Sequence, residues 1–134
     1  MIPSGNDILS ANVKVTTQPS KQHHMILDKN RIIGQCDNLE AIEQTVFKIL
    51  NTERYEYIIY SWNYGIELED LFGQPVMFVC PEIERRVKEA LMQDDRITDV
   101  TDFDFDISKR GVVAVSFTVH TTVGNLNEEM VVNI

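Results

Sequence analysis

Ile-Leu-Asn-Thr-Glu-Arg-Tyr-Glu-Tyr-Ile-Ile-Tyr-Ser-Trp-Asn-Tyr-Gly-Ile-Glu-Leu-Glu-Asp-Leu-Phe-Gly, residues 49–73, is the stretch on which the reading of this chain turns. All four tyrosines (Tyr55, Tyr57, Tyr60, Tyr64) and the sole tryptophan, Trp62, fall inside it. A helix runs into the stretch, an extended aromatic segment is expected to cross it, and a short acidic helix over 66–72 is expected to leave it at Gly73. On a strand, Tyr57 and Ile59 would face one side and Ile58, Tyr60 and Trp62 the other, so both faces would need cover from the core or a partner. Aromatic side chains bury large areas and carry polar tips, which suits a core and an interface alike. Neither a nucleophile–base pair nor a ligand cluster accompanies them. That combination points to assembly rather than chemistry.

Upstream, residues 1–22 are polar and mixed and read as an N-terminal arm, leaving 23–134 as a single domain. The segment from His24 to Gly34 predicts two short strands around a Lys29-Asn30 turn, where Asn tolerates a left-handed backbone. Asp37 or Asn38 then caps a helix over about 39–51. Leu39, Ile42, Val46 and Ile49 form its apolar face, while Glu40, Glu43, Gln44 and Lys48 lie elsewhere.

Downstream, Pro75–Cys80 reads as an apolar connector and Pro81 as the first residue of a second helix over 81–93, with Ile83, Val87, Ala90 and Leu91 buried. Glu82–Arg86 and Glu84–Lys88 have the spacing of surface ion pairs. The remainder predicts a β-meander. Phe103, Phe105 and Ile107 alternate with Asp102, Asp104 and Asp106, and Val100 is out of phase with them, which implies a bulge near Thr101. Val113, Val115, Phe117 and Val119 form the next inward set. A turn at Gly124-Asn125 leads to a last strand over 128–134 with Met130 and Val132 on one face; at a sheet edge it could accept a strand from another chain. The fold class is therefore α+β, two main helices on a small, mostly antiparallel sheet.

At 134 residues, with 43% apolar and 25% charged side chains, the chain is long enough for a core of its own. A net charge of −9 argues against nucleic-acid partners, which demand clustered Lys and Arg, and against an anionic membrane surface. No apolar run reaches the roughly 20 residues of a spanning helix, and no signal-peptide layout opens the chain, so synthesis in the cytoplasm is expected. Cys36 and Cys80 read as reduced thiols. His23, His24 and His120 lack zinc-ligand spacing, and the aspartates lack the calcium-loop pattern, so neither metal nor cofactor is expected. Asp102, Asp104 and Asp106 alternate with core residues, where solvated charge belongs, although a glycosidase needs only two carboxylates across a cleft. Arg54 and Arg96 each follow an acid at a helix end. They read either as internal clamps between helix and sheet or as partner contacts.

Four blocks carry a family resemblance: 34–44 (Gly-Gln-Cys-Asp-Asn-Leu-Glu-Ala-Ile-Glu-Gln), 48–55 (Lys-Ile-Leu-Asn-Thr-Glu-Arg-Tyr), 60–68 (Tyr-Ser-Trp-Asn-Tyr-Gly-Ile-Glu-Leu) and 85–97 (Arg-Arg-Val-Lys-Glu-Ala-Leu-Met-Gln-Asp-Asp-Arg-Ile). Through them the chain resembles the small baseplate wedge proteins and sheath initiators of contractile phage tails, in the form found in Gram-positive defective prophages and phage-tail-like bacteriocins. The wider family carries a Glu-Pro-Arg-Ile motif after its second long helix; here the matching positions read Asp94-Asp95-Arg96-Ile97, with Asp95 in place of the proline. The resemblance implies a structural, non-enzymatic baseplate part. Its partners would be other wedge proteins and the tail sheath subunit, with the tail tube or hub as further candidates. It would assemble in the bacterial cytoplasm and end in the baseplate. Arg54, Tyr60, Trp62, Tyr64, Asp94, Arg96, Met130 and Val132 are the expected partner-binding residues. Two alternatives follow from the same resemblance: a peptidoglycan-cleaving muramidase, the role once attached to the wider family, and a cytosolic anti-adaptor-like regulator of similar fold.

Overall fold

The computed structural model of the chain describes residues 20–134. The expected arm lies outside the described residues as far as position 19, and Gln22 already belongs to the first strand. In chain order the elements are β1 (Gln22–Ile26), β2 (Arg31–Cys36), α1 (Asn38–Leu50), α2 (Val76–Leu91), β3 (Ile97–Asp106), β4 (Val112–Thr121) and β5 (Gly124–Asn133). β1 and β2 form an antiparallel hairpin; β3, β4 and β5 form a second antiparallel sheet in that spatial order. The class is α+β, as the alternation of helical and strand periods implies.

The hairpin turns where expected. A single 3-10 turn, Leu27–Lys29, is closed by Asn30 in the left-handed region at φ 48°. Asp37 caps α1, its side chain accepting from the Asn38 amide at 2.7 Å. Ile42, Val46 and Ile49 of α1 then meet Ile83, Val87 and Leu91 of α2 over the inner face of the sheet, where Val113, Val115, Phe117, Val119 and Val132 are buried. One expectation about α1 is corrected: Gln44 is not on the outer face but 8% exposed. Its side-chain oxygen accepts from the Met25 amide at 2.8 Å and its amide donates to the His23 carbonyl at 2.7 Å. The buried amide thus satisfies backbone groups of β1 that would otherwise lack partners.

The second helix begins a turn and a half earlier than expected. Pro75, not Pro81, stands at its start, and Pro81 lies inside it. The reason is Val79, which is fully buried and extends the inward stripe upstream of Ile83. The helical bond that Pro81 cannot donate would have gone to the carbonyl of Met77, whose side chain is 91% exposed, so water can reach that turn. Glu82 and Arg86 do pair, at 3.1 Å. Lys88 reaches Asp99 of β3 at 3.1 Å instead of Glu84.

The aromatic stretch is the main departure. No strand forms across it; residues 51–64 are a succession of turns. Tyr60 donates its amide to the Tyr57 carbonyl and Tyr64 to that of Ser61, at 3.3 and 3.1 Å. The loop is pinched at its base, where Arg54 N donates to Ile66 O at 3.2 Å and Ile66 N to Thr52 O at 3.0 Å. Gly65 permits that closure: its φ is +93° and a Cβ there would lie 2.5 Å from the Thr52 carbonyl oxygen. The acidic helix expected over 66–72 is one 3-10 turn, Glu69–Leu71. Ile66 and Leu71, not a helical face, anchor this part in the core.

In the meander, β3 breaks register against β4 between Ile97 and Asp99 and again between Thr101 and Asp104. Asp102 is left-handed at φ 58°, so the irregularity expected near Thr101 is present. The last strand starts at Gly124 rather than Glu128, because the β4–β5 turn is only Thr122-Val123. It pairs with β4 in unbroken register from Gly124↔Thr121 to Asn133↔Val112.

Candidate functional site

Three surfaces gather the residues expected to meet partners. The first is the loop 55–64. Tyr60 stacks on Tyr64 with ring centroids 4.4 Å apart, and Tyr57 meets Tyr60 edge-on at 6.1 Å. This ring ladder props the loop from within while its apolar tips face outward. Ile58 is fully exposed, Ile59 84% and Trp62 76% exposed. Such side chains are unfavourable in water unless another surface covers them. Arg54 sits at the loop's base, its guanidinium donating to Glu89 of α2 and to the Gly65 carbonyl at 3.1 and 3.2 Å.

The second surface is the corner after α2. Arg96 grips Asp94 through Nε–Oδ1 and Nη2–Oδ2 contacts of 2.9 and 2.7 Å, and its backbone amide donates to the same carboxylate. Its Nη2 also reaches Thr45 Oγ1 on α1 at 3.2 Å. Both side chains are largely buried. Burial alone would raise the pKa of Asp94, but the Arg96 hydrogen bonds and charge outweigh it and hold the carboxyl below its ordinary value. Arg96 is therefore an internal clamp joining both helices to the start of the sheet. Asp95 points to solvent. Loop and corner are neighbours: Tyr64, Asn63 and Asp94 line one concavity of about 210 Å³, and Asn63 donates to Gln93 across it at 3.2 Å.

The third surface is β5. Met130 and Val132 face the core, Val132 being 3% exposed, so their side chains hold the strand in place. What β5 turns outward is its backbone edge, with Val131 62% exposed beside it. Among the described residues β5 has one strand neighbour, β4.

Two residues of consequence escape a sequence-only reading. Glu53 accepts the backbone amide of Leu68 at 3.0 Å and that of Glu69 at 3.4 Å, pinning the exit of the loop. Glu128 stands on the inner face of β5, opposite Phe117. Burial first, then the charge of Glu43, push its pKa up to about 7. The period-2 run Leu126, Glu128, Met130, Val132 carried that signal. Among the described residues no group of three or more His, Cys, Asp or Glu is placed to hold a metal ion, and no helix is long and apolar enough to cross a membrane.

The described residues thus form a two-helix α+β body with a clamped corner, a solvent-facing aromatic loop and, at β5, a sheet edge paired on one side. The chain matches the family of contractile injection system sheath initiators over residues 7–124 and belongs to it. It is 41% identical over 120 residues to Phage-like element PBSX protein XkdS of Bacillus subtilis (strain 168), a match covering 86% of this chain and 84% of that protein. Its fold is shared by a Geobacter sulfurreducens protein solved under a tail-lysozyme description, with a TM-score of 0.59 over 71% of this chain and 89% of the other. Identity there is 21%, so that likeness speaks for the fold alone.

Proposed function

We propose that the protein is a structural part of a contractile tail baseplate that initiates the sheath by accepting a strand along β5. The supporting observation is the contrast between the two edges of its sheet. The β3 edge is interrupted twice in register and carries Asp102, Asp104 and Asp106, features that blunt an edge against pairing. The β5 edge is regular over its whole length. Strand addition supplies many backbone hydrogen bonds with little demand on sequence, which suits the first contact of a repeating sheath. The aromatic loop and the adjoining Asp94–Arg96 corner serve wedge partners around the tail tube or hub, with exposed Ile58, Ile59 and Trp62 as anchors.

The test is Asn127→Lys with Val131→Lys, two exposed outer-face positions on β5. The free chain should stay folded, while tail particles should carry tubes and baseplates with little or no sheath. Full-length sheath on such particles overturns the reading.

A muramidase reading meets one relevant observation, the raised pKa of Glu128 beside Glu43. The shift comes from burial and from the like charge of Glu43, causes that structural carboxylates share with catalytic ones, so it does not by itself favour an enzyme. Cell-wall turbidity assays on purified protein separate the readings: clearing lost in Glu128→Gln would favour the enzyme.

A further inference from the structure

Beneath the N-terminal hairpin lies a concavity of about 500 Å³, walled by β1, the turn after it, α1 and β5. Its charged lining is Asp28, Glu40, Glu43 and Glu128 together with His24; among the described residues no Lys or Arg lines it. His24 Nε2 is directed to Glu40 at 3.1 Å, and Gln44 is engaged by the β1 backbone. The rest of the wall is hydrocarbon, from Met25, Ile26, Leu27 and Phe47.

Glu128 is the key residue. Its Oε1 is shut from solvent and meets no hydrogen-bond donor among the described residues. A buried carboxylate oxygen left in that state is unfavourable until a donor or cation reaches it. Burial and the nearby Glu43 charge make the carboxyl hold its proton up to about pH 7, which is the signature of a site lacking its counter-charge. A metal ion is a poor fit, since no three acids or ligating side chains here converge on one point. A long aliphatic stem ending in a positive head fits both parts of the wall, the stem on hydrocarbon and the head at the carboxylates.

We infer that this concavity seats one lysine or arginine side chain presented by a partner protein, with Glu128 and Glu43 receiving its charged head. The inference rests on the reading of the chain as a part built into a tail particle, and it names the chemistry of one contact there.

The test uses the full chain, free and in particles. Glu43→Gln alters an exposed position, so folding is not in question, and Glu128→Gln changes charge with little change in volume. Singly and together they should leave the free chain melting at or above the wild-type temperature. In competition with the wild-type chain for incorporation into purified tail particles, the double variant should fall at least tenfold. Equal incorporation overturns the cation seat and leaves the baseplate reading standing. Absence of the wild-type chain itself from particles overturns that reading and this inference with it. Carbodiimide coupling of wild-type particles that joins Glu128 or Glu43 to Lys14 of the same chain also overturns the partner assignment, because the seat would then belong to the chain's own N-terminal segment.

Discussion

Arg96 and Asp94 lie two residues apart and bind each other through a two-pronged contact, Nε to Oδ1 at 2.9 Å and Nη2 to Oδ2 at 2.7 Å. The fork also bonds Thr45 of α1, so one guanidinium fixes where α2 ends, where β3 begins and how α1 lies between them.

Arg96→Ala should therefore lower stability by about 2–3 kcal/mol, largely because Asp94 is left charged without its partner. The Asp94→Ala/Arg96→Ala double variant should lose less than the sum of the single changes, as urea denaturation of all four proteins would register. Since Asp94 titrates below its ordinary value, the stability it adds is present above the unfolded pKa of about 4 and is lost as pH falls through the folded one.

Glu128 runs in the opposite direction. Its folded pKa of about 7 lies above the 4.5 of an unperturbed Glu, so the folded chain binds an extra proton between those values. The stabilisation is complete below about pH 4.5 and disappears as pH rises to 7. The groups facing it are His24 and Asp28 from the hairpin side and Glu40 and Glu43 from α1, with Phe117 across the strand pair. Melting between pH 5 and pH 7.5 should fall by an amount on the order of 1–3 kcal/mol, and Glu128→Gln should remove most of that slope.

Trp62 is the single tryptophan and is 76% exposed, so its fluorescence reports the loop without interference. The free chain should emit as a solvated indole and shift to shorter wavelength on entering a particle. Ile58→Ser/Ile59→Ser should change stability by no more than about 0.5 kcal/mol while abolishing the shift. A large loss of stability would show that these side chains serve the fold instead.

Gly65→Ala should be among the most damaging single changes in the loop. The new Cβ meets the Thr52 carbonyl at 2.5 Å and the backbone must hold φ at +93°. A loss of about 2–4 kcal/mol is expected, measured by thermal melting. The Tyr60–Tyr64 stack should be released with it, visible as changed near-ultraviolet dichroism.

How far the residues announce this architecture depends on what each pattern competes with. β4 is legible because Val113, Val115, Phe117 and Val119 alternate with residues outside the core, and α1 because Asp37 caps an apolar stripe. The start of α2 is ambiguous, since Pro75 and Pro81 both satisfy a helix start; Val79 decides, through packing that only the folded chain contains. Residues 57–62 mislead for a different reason. Apolar side chains on both faces of a strand and apolar side chains awaiting a partner read alike along one chain. Gln44 misleads because amides usually face water, whereas this one is drawn inward by unpaired backbone of β1. Of the expected contact residues, Tyr64 and Asp94 share a concavity, Arg54 and Arg96 are held within the fold, and Met130 and Val132 turn inward.

The unequal borders of the three-stranded sheet carry one more consequence. A filament of identical copies needs two compatible borders on every subunit, one to give and one to take. Here the border at β3 is broken and ringed with acid while only that at β5 is smooth. Strand pairing between copies would therefore join two of them edge to edge along β5 and stop there, leaving neither copy a second smooth border among the described residues.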